Sequence, residues 1–230
     1  MTRHEIMVKP NLKAIVFDAY GTLFDVHSII VLCEQLFPTR GEALSRAWRA
    51  RQLEYTWLQS LMGRYEDFEQ VTEAALRFAC RSLHLPCEPA TRAQLMDAYL
   101  HLDPFPDVRP TLEALSNFPL AILSNGSPRM LRAVVEHASL TRAFAHIISV
   151  DEVKVYKPSP RVYQLASQKL GHTPSEIGFV SANGWDAGGG KAFGFQTYWL
   201  NRAQVPEEEL GAGAAPDKII NTLTELPALM

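Results

Sequence analysis

Asp18 stands in the run FDAYGT, Phe17 to Thr22, directly behind the apolar stretch Ala14–Phe17. Such a short apolar run reads as a strand buried on both faces, and Tyr20, Gly21 and Thr22 end it. In open α/β sheets the ligand crevice lies beyond the carboxyl ends of the strands, so an acid there faces a ligand rather than the core. An ionised aspartate held in line can attack carbon, forming an ester that divides one difficult displacement into two easier steps. Three later runs carry polar groups that could assist it: SNGS from Ser124 to Ser127, VYKPSP around Lys157, and SANGWD from Ser181 to Asp186. Lys157 can keep Asp18 ionised, since an opposite charge within about 4–6 Å lowers a carboxylate pKa. A solvated loop lysine is the alternative. Ser124 and Asn125 precede a helix opened at Pro128 and can hold an anion at its entrance. Ser127 is assigned to capping that helix.

The elements that must position these groups are those of a parallel sheet. From Val108 onward helix alternates with short apolar strand, with strand candidates at Leu120–Leu123, His146–Val150, Ile177–Val180 and Thr197–Leu200. Crossover helices are predicted at Pro128–His137 and Pro160–Leu170, the second stopping at Gly171. Between the first strand and this region lie about eighty residues without a strand pattern. Helices are predicted there at Gly41–Met62, Tyr65–Leu83 and Thr91–His101, with Pro86, Pro89, Pro104 and Pro106 as punctuation. A helical block inserted after the first strand suggests a lid. The expected division is an α/β core of residues 1–23 and 104–230 and a cap of residues 24–103. Gly211–Ala215 reads as a surface loop rather than a dinucleotide fingerprint, because no βαβ unit surrounds it.

Composition narrows the function classes. At 230 residues the chain can bury a core without metal or disulfide staples. Lys plus Arg number 22 against 25 Asp plus Glu, a balance with no basic stripe for nucleic acid. Cys33, Cys80 and Cys87 are odd in number and lack CxxC spacing, which argues against a disulfide framework or zinc site and for a reducing cytoplasm. Glu5 and Lys9 interrupt the apolar pieces of the N-terminus, and no run approaches the roughly eighteen apolar residues of a membrane span. A soluble intracellular protein is expected.

Read together, FDAYGTLFDVHS, WRARQLEYTWLQSLM, ILSNGSP, VYKPSPRVY and FVSANGWDAGG resemble the L-2-haloacid dehalogenases of the haloacid dehalogenase superfamily, over nearly the whole chain. The resemblance implies a Rossmann-like parallel-sheet core with a helical cap and a homodimer packed through cap helices. It implies hydrolytic dehalogenation of short L-2-haloalkanoic acids to D-2-hydroxy acids, without cofactor or metal. Asp18 would displace halide at C2 with inversion, and water would then cleave the aspartyl ester at the side-chain carbonyl. The substrate carboxylate would lie at Ser124 and Asn125, near the Tyr20 backbone. Arg49, selected over Arg46 and Arg51 only by the family match, would receive the halide with Asn125 and Trp185. Leu53 and Phe68 would form the apolar wall, and Tyr163 would join the substrate contacts. Trp48, Tyr55 and Trp57 are core or subunit-interface residues instead. Thr22 would hold a carboxylate, and Asp186, with Ser181 and Asn183 nearby, would orient or activate water. The residues leave open whether Asp186 or Lys157 governs that proton transfer, and whether Asp186 instead caps the following helix. Small residues at Ala182 and Gly184 are expected to widen the pocket.

A magnesium-dependent phosphatase of the same superfamily would share Asp18, Ser124 and Lys157. Such enzymes generally carry a second Asp two residues after the nucleophile, where this chain has Tyr20, and another acid shortly before the last Asp, where it has Ser181 and Ala182. A methyl group cannot ligate magnesium, which requires oxygen. A non-catalytic binding protein with this fold is the remaining alternative, and retention of Asp18, Lys157 and Asp186 argues against it.

Overall fold

The computed structural model describes residues 11–230; Glu5, Lys9 and the start of the expected core segment lie outside them. Six strands, β1 (Ala14–Phe17), β2 (Leu120–Ser124), β3 (His146–Ser149), β4 (Ile177–Ser181), β5 (Gln196–Leu200) and β6 (Lys218–Ile220), form one sheet in the order β3-β2-β1-β4-β5-β6. Every neighbouring pair is parallel. All residues of β1, β2 and β4 are buried, as strands covered on both faces must be. The order reverses direction at β1, so the crevice beyond the ends of β1, β2 and β4 is the topological switch point where α/β sheets bind ligands.

The helices α1 (Ile29–Leu36), α2 (Gly41–Leu61), α3 (Phe68–Ser82) and α4 (Pro89–Ala98) lie between β1 and β2 in the chain. They are followed by α5 (Val108–Ala114), α6 (Pro128–His137), α7 (Pro160–Leu170), α8 (Gly184–Phe193) and α9 (Leu226–Leu229). The chain leaves and re-enters the sheet region side by side: Asp25 N–H donates to Asp103 O at 2.9 Å, and Phe105 N–H to Leu23 O at 3.0 Å. Two crossover helices match their predicted bounds. Ser127 Oγ accepts from Met130 N–H at 3.2 Å and opens α6, while Gly171 ends α7 in the left-handed conformation at φ 71°.

Other boundaries shift for local reasons. α3 starts at Phe68 rather than Tyr65 because Asp67 caps it, accepting from Gln70 N–H at 2.9 Å. α4 starts earlier than predicted, with Pro89 in its first turn where no N–H is needed. α1 and β6 are unforeseen. The eight residues IIVLCEQL are too short and too apolar for periodicity to separate helix from strand, and KII is a three-residue edge. Gly211–Ala215 lies in a loop, with Gly211 and Gly213 at positive φ.

Candidate active site

The end of β1 delivers Asp18 into the crevice, with its N–H bonded to Val180 O at 2.9 Å. Its two carboxylate oxygens have different partners. Oδ2 accepts from Thr22 Oγ1 at 3.1 Å and from Asn183 Nδ2 at 3.1 Å. Among the described residues Oδ1 accepts only from Lys157 Nζ, at 3.1 Å. Thr22 is itself fixed from the β4 end, where Ala182 N–H donates to its hydroxyl at 2.8 Å.

Lys157 is 1% exposed and stands between two carboxylates, with Asp186 Oδ2 at 2.9 Å on its other side. Burial works against the ammonium, but Asp18 and Asp186 outweigh it and raise its pKa above the ordinary value. Lys157 is therefore an internal cation, not a solvated loop lysine. Asp186 lies in the first turn of α8 and is fully buried. Burial above all, and the Asp18 charge, raise its carboxyl pKa, while Lys157 and the Ser181 hydroxyl pull the other way. It caps nothing: the residue at the helix entrance is Asn183, whose side chain makes no capping bond and is turned to Asp18.

The ends of β2 and α2 complete the enclosure. Ser124 Oγ accepts from Gly126 N–H at 3.1 Å, which leaves its proton to donate. Asn125 Oδ1 accepts from Lys157 N–H at 3.0 Å, which leaves its NH2 group as the half facing other partners. Arg49 on α2 donates to Gln52 Oε1 at 2.6 Å and reaches Tyr20 O at 3.5 Å. Leu53, Phe68 and Trp185 close the apolar side, Trp185 standing edge-on to Trp57 at 5.4 Å between ring centres. The cavity they leave is about 10 Å3, room for one water-sized sphere.

Asp18, Tyr20, Arg49, Leu53, Phe68, Ser124, Asn125, Lys157, Asn183 and Trp185 all line that cavity. Thr22, Ser181 and Asp186 stand directly behind it. Tyr163 does not line it: its ring packs on Phe179, Phe193 and Phe195, and its hydroxyl donates to Asp186 Oδ1 at 2.8 Å. The expected substrate contact is corrected to a contact with the buried acid. Gly184 does not line the pocket. A Cβ on Gly184 would lie 2.7 Å from Glu208 Cγ and 3.6 Å from the Trp199 ring, so the missing side chain makes room for the loop after β5. Trp48 is core, with its Nε1 donating to Thr72 O at 2.8 Å.

Sequence reasoning missed Gln52, Thr72 and Ser149. Gln52 bridges Arg49 to Thr72 Oγ1, the latter at 2.7 Å, and thereby fixes the guanidinium; its spacing of three from Arg49 on one helix was the available signal. Ser149, at the end of β3, donates to Gly126 O at 2.6 Å and steadies the SNGS loop. Among the described residues no group of three His, Cys, Asp or Glu side chains could hold a metal ion, and the space between Asp18 and Asp186 is taken by an ammonium.

Residues 12–194 match the haloacid dehalogenase-like hydrolase family. The chain belongs to that family. It is 53% identical over 214 residues to the (S)-2-haloacid dehalogenase of Pseudomonas sp. (strain YL), covering 92% of this chain and 91% of that one. It is 49% identical over 222 residues to (S)-2-haloacid dehalogenase 2 of Pseudomonas sp. (strain CBS-3), covering 96% of each. A solved structure of the L-2-haloacid dehalogenase from Xanthobacter autotrophicus with chloropropionic acid covalently bound superposes with a TM-score of 0.89 at 42% identity, covering 95% of this chain and 98% of that one. This haloacid dehalogenase-like hydrolase therefore shares fold and near-full length with dehalogenases. Among its described residues no helix is long and apolar enough to cross a membrane.

Proposed function

We propose that this protein hydrolyses short-chain L-2-haloalkanoic acids to D-2-hydroxy acids through an ester on Asp18, without a metal. The observation that carries the reading is the Arg49 guanidinium, held by Gln52 at 2.6 Å and lining the same small pocket as Asp18, which brings a nucleophile and a donor for a departing halide together. The strong identity to (S)-2-haloacid dehalogenases and the covalent chloropropionic acid in the Xanthobacter relative support the same chemistry.

The two oxygens of Asp18 take different parts. Oδ2 is saturated by Thr22 and Asn183, whereas Oδ1 has one donor and a free lone pair, so Oδ1 attacks C2 from the face opposite the halogen. Ser124 and the Asn125 amide hold the substrate carboxylate. Arg49, Asn125 and Trp185 receive the halide as its charge develops; a guanidinium that never deprotonates is suited to that. Leu53 and Phe68 keep water from the reacting carbon. The configuration at C2 inverts once. Water then adds to the Asp18 Cγ, and the charge that collects on Oδ2 meets the Thr22 and Asn183 donors already in place. Asp186 lies behind Lys157, so the proton of that water reaches it across the ammonium, which gives one proton to Asp186 as it takes another. Collapse of the adduct then breaks the Cγ–Oδ1 bond, and Oδ1 leaves on C2 as the product hydroxyl, its proton returned from Asp186 across Lys157. Tyr163 and Ser181 hold Asp186 in position.

The same proposal divides the chain into a core of residues 1–23 and 104–230 and a cap of residues 24–103, as the paired crossings at Asp25–Asp103 and Leu23–Phe105 support. Two copies pack through the cap, where Leu58, Leu61 and Met62 are exposed at the end of α2, and sedimentation tests this. A cytoplasmic site of action fits the free thiols of Cys33, Cys80 and Cys87. The activity is tested by chloride release from L-2-chloropropionate with chelator present. Wild type releases halide, Asp18→Asn releases none, and dependence on added magnesium would overturn the reading.

A further inference from the structure

A second cavity, of about 330 Å3, adjoins the small catalytic pocket and shares Arg49, Leu53 and Asn183 with it. Its remaining wall is largely apolar, with Val26, Phe105, Ala182, Leu200, Ala203 and Val205. Its strongest charge is already engaged. Arg202 donates to Asp107 at 2.6 and 2.9 Å and to Thr22 O at 3.3 Å, and its guanidinium lies 4.2 Å over the Phe105 ring. Away from Arg49, which it shares with the catalytic pocket, the cavity therefore presents mostly hydrocarbon, and that part suits an alkyl group.

In-line attack fixes where such a group can go. The halogen lies opposite Asp18, and the other three substituents of C2 spread across the axis of attack. The carboxylate takes the Ser124 and Asn125 side. Of the walls left, Phe68 backs onto Tyr20 and Tyr156, and Lys157 backs onto Asp186, so both are closed. Leu53 and Asn183 instead back onto the second cavity. Within the dehalogenase reading, on which this inference rests, the geometry points to an alkyl subsite: the chain of a longer 2-haloacid passes between Leu53 and Asn183 into the 330 Å3 cavity. Ala203 and Val205, on the loop after β5, then help determine the chain length accepted.

The test fills the cavity from its outer wall. Ala203→Trp and Val205→Trp each alter an exposed position that bonds to no catalytic group through its side chain. Bromide release is measured for (S)-2-bromopropionate and (S)-2-bromohexanoate, which differ by three methylenes. At about fourfold per buried methylene, the longer chain has up to about sixtyfold in kcat/KM to lose. The expected result is at least tenfold loss for bromohexanoate, with bromopropionate within about twofold of wild type. Equal slowing of both substrates would make the cavity an entrance only, and no slowing of either would leave it unused; each overturns the subsite. Thermal unfolding identifies a variant that fails to fold, and the other then decides. A failure of the dehalogenase reading itself shows earlier, as wild type releasing no bromide from bromopropionate.

Discussion

Replacing Asn183 by alanine removes one of the two donors on Asp18 Oδ2 and little else, because the Asn183 side chain makes no capping bond to α8. The Thr22 hydroxyl stays in place, held by Ala182 N–H at 2.8 Å. If Oδ1 is the attacking atom, Oδ2 becomes the acyl oxygen of the ester and bears the negative charge only when water adds. The lost donor therefore weakens the second step far more than the first. One missing donor at a developing oxyanion costs about 10²–10³ in rate, and part of the 3.1 Å bond is already present in the free enzyme, so the lower figure, about 10², applies. Rapid-quench measurement of halide release should then show a burst of one equivalent per active site followed by slow turnover. Intact-mass spectrometry during that slow phase should show the Asp18 ester accumulating. A burst slowed as much as the steady state, with no ester detected, would refute the reasoning.

Three further perturbations probe the groups behind Asp18. A methyl on Gly189 would overlap the Tyr163 hydroxyl and lie 2.8 Å from Pro158 Cβ, so Gly189→Ala should displace the donor on Asp186 and lower kcat more than it raises KM, as steady-state halide release can check. Lys157→Met leaves Asp18 and Asp186 buried without their shared cation; halide release should fall below detection, and denaturant titration should show about 3–5 kcal/mol lost. Burial alone would raise the Asp107 carboxyl, but bonds from Arg202, Leu223 N–H and Thr222 hold it below its ordinary 3.8. A depressed folded pKa adds stability above the unfolded value and loses it as pH falls through the folded one. Asp107→Asn should therefore lower Tm near neutrality and flatten its decline below about pH 4.

The residues most legible in the sequence are those that end strands. Asp18, Ser124 and Ser181 each follow an apolar run that leaves few interpretations, and the parallel topology brings their ends to one edge. Lys157 rose above a loop lysine only through Val155, Tyr156 and Pro158, which tie it to a defined turn, since its burial comes from chain segments 139 and 29 residues away. Gln52 and Thr72 sit among other polar residues on α2 and α3, and only the packing of those helices joins them to Arg49. Tyr163 was assigned to the substrate by the resemblance alone, and nothing in its sequence neighbourhood shows which way the ring faces. Three phenylalanines decide for the buried side. Gly184 failed for a similar reason: a missing side chain leaves space, but the 201–217 loop fills it with Glu208.

The most direct test of a covalent aspartyl route is a single turnover with enzyme in excess over L-2-chloropropionate in oxygen-18 water. The account predicts an unlabelled hydroxy acid, its new oxygen drawn from Asp18, and oxygen-18 in the peptide that carries Asp18. Label in the first hydroxy acid and none in the protein would mean that water attacks the substrate carbon itself.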